Sequence, residues 1–388
     1  MSSCGYENRR KKKCSVLIEE SDQTGFPTVL LESTPGHETY RSGSACARVR
    51  AVDGCFCCFM GKSRSARGPG NDVSSCRENK AKHEGIKTIR TCRSCVFSED
   101  SDLCICLVTW NMNGRVSHED LAELVGSKLE YDLLVMGLQE APQGDIARIL
   151  QTALAKTYVL LGKSVMQSVQ LYIFGPMASE SLIKDLKVDK EPVGGFGWLV
   201  RRKKGAVAIG IVYRGISMVF ISCHLSAHAH NVGERNAECR HISHALFSKD
   251  RNPFPRPAQV TVWLGDLNYR LEGIGTYPAR NLIQKQQHKM LIGKDQLLHE
   301  AERGKIFDGY CEGSLRFKPT YKYNIGSSDY DTSHKVRVPS WTDRILFRIE
   351  DANAIRPTLR CYESVDDIKS SDHKPVKAHL CLKVIRDP

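Results

Sequence analysis

The sequence predicts an α/β fold in which β-sheets pack on each other and are covered by helices. Short apolar runs rich in Val and Ile are typical of buried strands, and amphipathic segments lie between several of them. Strand, helix and strand alternate first and consecutive strands follow, which favours packed sheets beneath helices. At 388 residues with 41% apolar side chains, the chain is long enough to bury a substantial core.

The predicted elements all lie after residue 100. Seven apolar runs predict strands at 103–110, 132–138, 169–174, 206–213, 216–223, 259–264 and 344–349. Apolar residues that recur on one helical face predict helices around 121–129, from Asp145 to 154, and across 232–246. Residues 281–303 are predicted to be helical with an interruption at Gly293.

Composition narrows the class of protein. The formal charge of +12 suits an anionic partner, namely a phosphate ligand, a nucleic acid or an acidic membrane surface. No apolar run reaches about 18 residues and the N-terminus has no signal-peptide core, so we expect a cytoplasmic protein. The 16 cysteines are then expected to be thiols in a reducing compartment rather than a disulfide scaffold.

Residues 1–100 predict a largely disordered, basic and Cys-rich extension, and residues 101–388 predict the folded domain. The extension is rich in Ser, Gly, Arg, Lys and Cys and lacks sustained hydrophobic periodicity. Two alternatives remain open for it. One is a zinc site that uses Cys92 and Cys95, and the other is reversible acylation of Cys4 or Cys14 beside the basic run 9–13.

Polar side chains follow several of the predicted strands, at the point where each strand ends. Asn111 and Glu140 come directly after two strands, and Asp266 and Asn268 follow a third. Carboxylates and amides that converge at strand ends are the usual components of a metal-assisted site that cleaves phosphate esters. Near the C-terminus, the run 371–373 (Ser-Asp-His) adds an acid and an imidazole.

Five short segments match one known family in the order in which that family carries them, and such a joint match is very improbable by accident. They are Trp110-Asn111, Gln139-Glu140, His224-Leu225, Gly265-Asp266-Leu267-Asn268 and Ser371-Asp372-His373. With these motifs the chain resembles the inositol polyphosphate 5-phosphatases, a branch of the endonuclease/exonuclease/phosphatase superfamily, over about residues 105–385. The resemblance implies a four-layered α/β sandwich, that is, two packed mixed β-sheets flanked by helices. It is greatest to compact plant-type members without appended modules.

The resemblance also implies roles for individual residues in the reaction. Asn111 and Glu140 are expected to hold Mg²⁺, and Asp266 is expected to orient or deprotonate the attacking water. The remaining predicted catalytic residues are expected to contact the phosphate, the metal or each other: His224 and Asn268 on phosphate oxygens, Asp343 paired with His373, and Asp372 on the metal side.

A separate group of residues indicates the substrate class. Tyr321, Lys322, Lys335 and Arg337 lie within a short cationic stretch that suits a second anionic group beside the scissile one. In the resembled family the matching residues bind the 4-phosphate of the ring. The expected substrates are therefore phosphatidylinositol 4,5-bisphosphate, the 3,4,5-trisphosphate and soluble inositol polyphosphates. Nucleases of the superfamily lack the Pro-Thr-Tyr-Lys-Tyr segment at 319–323.

The segment 194–204 predicts peripheral contact with an anionic membrane. Phe196, Trp198 and Leu199 are expected to enter the acyl region while the cations of 201–204 meet headgroups. The family usually has Gly-Asn-Lys-Gly where this chain has 202–205 (Arg-Lys-Lys-Gly), and often Arg where Gly210 stands, so lipid and 1-phosphate preferences stay open.

Two other functions compete with the leading one. A DNA or RNA phosphodiesterase of the same superfamily would suit the positive charge, and a catalytically silent phosphoinositide-binding protein would use the same cations. The leading interpretation predicts a monomeric enzyme with no nucleic-acid partner, placed on the cytosolic face of membranes.

Overall fold

The structure, a computed structural model, describes residues 83–92, 103–126, 131–154, 157–194, 204–249, 254 and 257–385. The predicted membrane-contact residues Phe196, Trp198 and Leu199 lie outside the described residues, as do Cys4, Cys14 and Cys95. Across the part of the chain that is described, no helix combines the length and apolar character needed to cross a membrane.

Thirteen strands are described: β1 Lys87–Ile89, β2 Leu103–Asn111, β3 Leu133–Gln139, β4 Tyr158–Met166, β5 Val169–Pro176, β6 Ile183–Val193, β7 Lys204–Tyr213, β8 Ile216–His224, β9 Val260–Asp266, β10 Cys311–Gly313, β11 Asp343–Ile349, β12 Ile355–Ser364 and β13 Val376–Val384. Six α-helices accompany them: α1 His118–Val125, α2 Ile146–Ala153, α3 Val232–Ala245, α4 Thr276–Gln284, α5 His288–Ile292 and α6 Gln296–Glu302. A 3₁₀ turn covers Ser179–Leu182.

The strands form two mixed sheets. The first sheet has the order β1-β10-β11-β9-β8-β7-β6, and the second has the order β12-β13-β2-β3-β5-β4. The pairs β1/β10, β8/β9 and β2/β3 are parallel, and the others are antiparallel. Because β2 and β3 run parallel, their C-terminal ends lie side by side, and the same holds for β8 and β9. Both pairs of strands end in polar residues.

The two sheets pack face to face on a shared apolar core. Alternate residues of β2, β7 and β9 meet there because side chains alternate between the two faces of a strand. The opposite face of the second sheet packs on α1 and α2, and that of the first sheet packs on α3. This arrangement confirms the expected helix, sheet, sheet, helix layers.

Local sequence determines where several helices begin and end. The Ser117 hydroxyl accepts a hydrogen bond from the backbone N–H of Asp120 and caps α1, and the Asp145 carboxylate caps α2 in the same way. The predicted helical stretch 281–303 is instead three short helices, α4 to α6. Gly293 separates α5 from α6, and Asp295 caps α6.

Strand β1 lies before residue 101, where the sequence predicts that the folded domain begins. It pairs in parallel with β10, and the N–H of Cys92 donates to the carbonyl of Leu359. The first sheet thus includes residues that precede position 101, the boundary expected from the sequence. With three residues, of which only Ile89 is strongly apolar, β1 produces no periodic signal.

Candidate active site

Three predicted site residues meet at one edge of the first sheet because their strands are neighbours in register. His224 ends β8 directly beside Asp266 at the end of β9, and Asp343 begins β11 on the other side of Asp266. From the second sheet, β2 ends in Asn111, which is aligned with Gln139 of β3, so Glu140 emerges beside it. We call this group, together with His373, the catalytic edge.

Gly265 allows β8 and β9 to approach closely just before Asp266. Its φ of +151° lies in the range that L-residues with a side chain rarely adopt. A Cβ atom at this position would collide with the backbone carbonyl of Cys223 on β8. The absence of a side chain therefore permits the register that sets Asp266 beside His224.

Asp266 is the centre of the site. Its Oδ2 accepts a hydrogen bond from Asn111 Nδ2 at 3.0 Å and lies 3.3 Å from His224 Nε2 and 4.0 Å from His373 Nε2. Its Oδ1 accepts from the backbone N–H of Asn268 at 3.1 Å. Burial opposes its ionisation, but the hydrogen bond from His224 and the nearby cations hold the pKa of Asp266 well below its usual range.

Asp343 and His373 form the predicted carboxylate–imidazole pair. Asp343 Oδ2 lies 2.9 Å from His373 Nδ1 and also accepts from the hydroxyls of Thr320 at 2.7 Å and Thr342 at 2.8 Å. Burial alone would lower the pKa of His373, but the negative charges led by Asp343 raise it to about 9. The imidazole is therefore cationic at neutral pH, with its Nε2 towards Asp266.

Lys204 is a component of the site that sequence reasoning placed elsewhere. It belongs to the run of cations that the sequence predicts to meet lipid headgroups, but its Nζ contacts His224 Nε2. The pairing of Gly205 with His224 across β7 and β8 places Lys204 at the catalytic edge. Burial lowers the pKa of Lys204, and burial together with the Lys204 charge lowers the pKa of His224.

Asn268 is held by its own neighbours. Its Nδ2 donates to the carbonyl of Leu225 at 3.0 Å, and its Oδ1 accepts from Arg270. The Arg270 guanidinium also stacks 4.4 Å from the centre of the Tyr321 ring, which lies 4.5 Å from the His373 ring. Arg270, which the motifs did not single out, thus connects Asn268 to Tyr321.

The four predicted substrate-binding residues divide into two places. Tyr321, Lys335 and Arg337 line a cavity of about 240 Å³ together with Arg270 and His228; we call it the cation cavity. Lys322 does not line this cavity, and its Nζ donates to Asp372 Oδ2 at 3.0 Å. Asp372, expected on the metal side, is therefore paired with a substrate-binding candidate.

The oxygen atoms at the catalytic edge fit a hard divalent cation. Asn111 and Glu140 offer an amide and a carboxylate from adjacent strand ends, beside the Asp266 carboxylate. Asp266, Asp343 and His373 also offer ligand atoms within 4.8 Å of one another. That second set suits a metal less well, because Asp343 is already engaged by two hydroxyls and by the cationic His373.

Known proteins share this fold and its motifs. The family model for "Endonuclease/Exonuclease/phosphatase family 2" matches residues 108–379. The chain is 59% identical to the type IV inositol polyphosphate 5-phosphatase 11 of Arabidopsis thaliana, over 80% of this chain and 92% of that protein. It is 29% identical to synaptojanin-1 of Rattus norvegicus over 74% of this chain, and it spans only 22% of that longer protein.

A solved structure agrees with these sequence matches. The inositol polyphosphate 5-phosphatase domain of SPsynaptojanin, in complex with inositol (1,4)-bisphosphate and a calcium ion, superposes with a TM-score of 0.63. That match has 30% sequence identity and covers 73% of this chain and 85% of that one. With this fold, these motifs and these relatives, the chain belongs to the inositol polyphosphate 5-phosphatases of the endonuclease/exonuclease/phosphatase family, the enzyme class that the sequence predicted.

Proposed function

We propose that the chain is an Mg²⁺-dependent phosphatase that removes the 5-phosphate from phosphatidylinositol 4,5-bisphosphate, from the 3,4,5-trisphosphate and from soluble inositol polyphosphates. The observation that carries the proposal is the cluster at Asp266, where an amide and two imidazoles surround one buried carboxylate and the Lys204 ammonium group contacts one of those imidazoles. The SPsynaptojanin domain binds a ligand that keeps a 4-phosphate and lacks a 5-phosphate, which supports this choice of scissile group.

Asp266 acts on the attacking water. A carboxylate with a strongly depressed pKa is a weak base, so it accepts a hydrogen bond from water and orients it better than it retains a proton. The hydrogen bonds from Asn111 and from the backbone of Asn268 fix the plane of this carboxylate. Orientation of the nucleophile is the contribution that the geometry supports best.

His373 stabilises negative charge on the transferring phosphoryl group. Asp343 holds its Nδ1, so the cationic Nε2–H is directed towards the site. Lys204 and His224 add donors on the opposite side of Asp266. Preorganised donors of this kind act on the transition state without reorganising during the reaction.

The residues expected to hold the metal lie on the second-sheet side of the catalytic edge. Asn111 and Glu140 would hold Mg²⁺, which would supply Lewis-acid neutralisation of phosphate charge. These two residues come from adjacent strands, and their oxygens match the preference of Mg²⁺ for few protein ligands and several waters.

Recognition of a neighbouring ring phosphate is assigned to the cation cavity. Lys335 and Arg337 line it and have no ion-pair partner among the described residues, so their charge is available to a ligand. Arg270 lines the same cavity and, through its contact with Asn268, joins recognition to the catalytic edge.

Membrane contact through Phe196, Trp198 and Leu199, a monomeric state and a cytosolic, peripheral location complete the proposal. These side chains belong to a sequence segment that combines apolar and cationic residues, as membrane-contacting loops do. No nucleic-acid partner is proposed.

The decisive experiment measures phosphate release from a panel of inositol lipids and soluble inositol phosphates in the presence of Mg²⁺. We expect turnover of ligands that carry both 4- and 5-phosphates and slow turnover of a 5-monophosphate. Equal rates for both would refute the role of the cation cavity. Cleavage of an oligonucleotide without phosphate release from the panel would favour the phosphodiesterase, and binding without release would favour the silent binder.

A further inference from the structure

Two thiols lie side by side on the second sheet, far from the catalytic edge. Cys104 on β2 and Cys381 on β13 are register partners on neighbouring antiparallel strands, and their Sγ atoms are 2.6 Å apart. Both side chains are buried. Asn111 lies seven positions after Cys104 along β2, so at about 3.3 Å per position the pair lies roughly 23 Å from the catalytic edge.

The geometry suits a covalent bond between these sulfurs. Directly opposed Cα atoms of an antiparallel pair are about 4.5 to 5.5 Å apart, inside the range of about 4.4 to 6.8 Å that disulfides require. The 2.6 Å between the sulfurs exceeds a disulfide bond of about 2.05 Å by about half an ångström. No change of register is needed to close that gap.

A metal would suit the same atoms less well, although His379 adds an imidazole and the three ligand atoms lie within 4.8 Å of one another. Two thiolates bound tetrahedrally to zinc at about 2.3 Å each would stand about 3.7 Å apart. The sulfurs would have to separate by about 1 Å to admit zinc, and this is twice the movement that a disulfide requires.

A base is in place for the reaction. His379 Nε2 lies 3.2 Å from Cys381 Sγ, and the Tyr131 ring packs edge-on against the imidazole with 4.8 Å between ring centres. The Cys104 thiol and burial raise the pKa of Cys381. Because the thiolate is the reactive form, Cys381 needs a neighbouring base to remove its proton. Because the thiol is buried, only a small uncharged oxidant is expected to reach it.

We propose that Cys104 and Cys381 are a reversible redox pair that a peroxide converts into a disulfide. Cys381 gives its proton to His379, and its thiolate attacks one peroxide oxygen; the O–O bond breaks, leaving a sulfenic acid and water when the oxidant is hydrogen peroxide. The Cys104 thiol then attacks that sulfur, the S–S bond forms, and a second water leaves. Two electrons pass from the thiols to the peroxide, and a dithiol reductant reverses the change.

The bond would join β2 to β13 across a separation of 277 residues. Cross-linking such distant positions restricts the unfolded chain, so the oxidised protein is expected to melt at a higher temperature. The pair touches no residue of the catalytic edge, and phosphatase activity therefore serves as a check on folding.

The test treats the full chain with hydrogen peroxide, blocks remaining thiols with an alkylating agent, and identifies linked peptides by mass spectrometry. We expect a Cys104–Cys381 linkage that dithiothreitol removes. The matched control is Cys106→Ser, because Cys106 lies on the same strand and face but opposes His379 instead of a cysteine. That variant keeps the linkage, whereas Cys104→Ser and Cys104→Ala lose it.

His379→Gln is expected to slow formation of the linkage by about tenfold or more, in keeping with loss of a general base. Three results would overturn the proposal in the unmodified chain, whether or not any variant folds. They are full alkylation of both thiols after peroxide, linkage of Cys381 to Cys361 instead, and purification of the chain with one zinc ion that Cys104→Ser releases.

Discussion

The catalytic edge and the cation cavity are neighbours built on opposite principles. Asp266, Asp343 and His373 are all at most 5% exposed, and each is held by several hydrogen bonds. Lys335 is exposed and Arg337 is half-buried, and neither side chain has an ion-pair partner among the described residues, although the backbone N–H of Arg337 donates to Asp331. The side chains proposed for catalysis are therefore held in place by other protein groups, whereas the cations proposed for recognition are left to pair with the ligand. Changes at the edge should lower turnover, and changes in the cavity should weaken binding.

Metal removal should have the largest effect. We expect EDTA to reduce phosphate release below detection and excess Mg²⁺ to restore it, because the edge supplies too little positive charge to neutralise the phosphate alone. Thermal melting with and without EDTA separates loss of the ion from unfolding. Full activity in EDTA, with a chelator-insensitive melting curve, would remove the metal from the mechanism.

His373→Ala should follow, with kcat lowered by about 10³-fold and KM little changed, as for a group that acts on the transition state. The measurement is steady-state phosphate release from a soluble 4,5-bisphosphate head group. His299→Ala is the control, because that imidazole pairs with Glu272 away from the site. A loss confined to KM would place His373 in ground-state binding instead.

The pH profile of Asp343→Asn tests the electrostatics of the catalytic edge further. Asp343 raises the pKa of His373 to about 9, so the imidazolium is present below that pH and is lost as pH rises through it. Without the carboxylate, the alkaline fall in kcat should move to lower pH. We expect a rate loss of about 10- to 100-fold at pH 8 and a smaller loss at pH 6. An equal loss at every pH would contradict the electrostatic role.

In the cation cavity, Lys335→Ala and Arg337→Ala should each raise KM about tenfold, or about 1.4 kcal/mol, for a head group with a 4-phosphate. The 5-monophosphate should be almost unaffected, since it offers no second anion. Lys318→Ala is a matched control, because that exposed lysine belongs to the same region of sequence but does not line the cavity. Equal KM increases for both ligands would point to general electrostatics.

The smallest effect is expected from Trp198→Ala. It should lower turnover of lipid in anionic vesicles about threefold to tenfold, because an apolar contact with acyl chains is lost, and should leave a soluble head group unaffected. Vesicle co-sedimentation measures the same contact directly. A parallel loss on the soluble substrate would show that Trp198 supports the fold or the active site and does not act through the membrane.

The sequence predicted the strands that are buried on both faces and missed the strands at the sheet edges. β2, β3 and β9 are continuous apolar runs, and their positions were predicted to within a few residues. The edge strands β1, β4, β6 and β12 were not predicted. In β6 six of eleven residues are charged, which protects an exposed edge but hides it from a search for apolar runs.

Strand β13 was missed for a different reason. It lies inside the second sheet, between β12 and β2, yet Lys377, His379 and Lys383 interrupt its apolar residues on the outer face. Only the pairing with β2 and β12 makes that alternation recognisable as a buried strand. Local patterns therefore identified the interior of each sheet better than its full width.

Motifs identified acids and bases that lie together at the candidate site, but they did not identify every residue that contacts them. Asp266, Asp343 and His373 meet as expected. Lys204 and Arg270 reach the site through strand register and through a contact with Asn268, which no spacing in the sequence encodes. Contacts between residues that are distant in the sequence are the feature that is hardest to predict from a single sequence.

Substitution of Gly265 is expected to be as damaging as substitution of a charged residue of the site. A survey of inactivating substitutions restricted to acids, bases and amides would pass over it, because it contributes no functional group. Yet the single methyl group of an alanine would force β8 and β9 apart at the level of Cys223 and separate His224 from Asp266. The proposed reaction therefore requires a position without a side chain at residue 265 as much as it requires the acids and bases nearby.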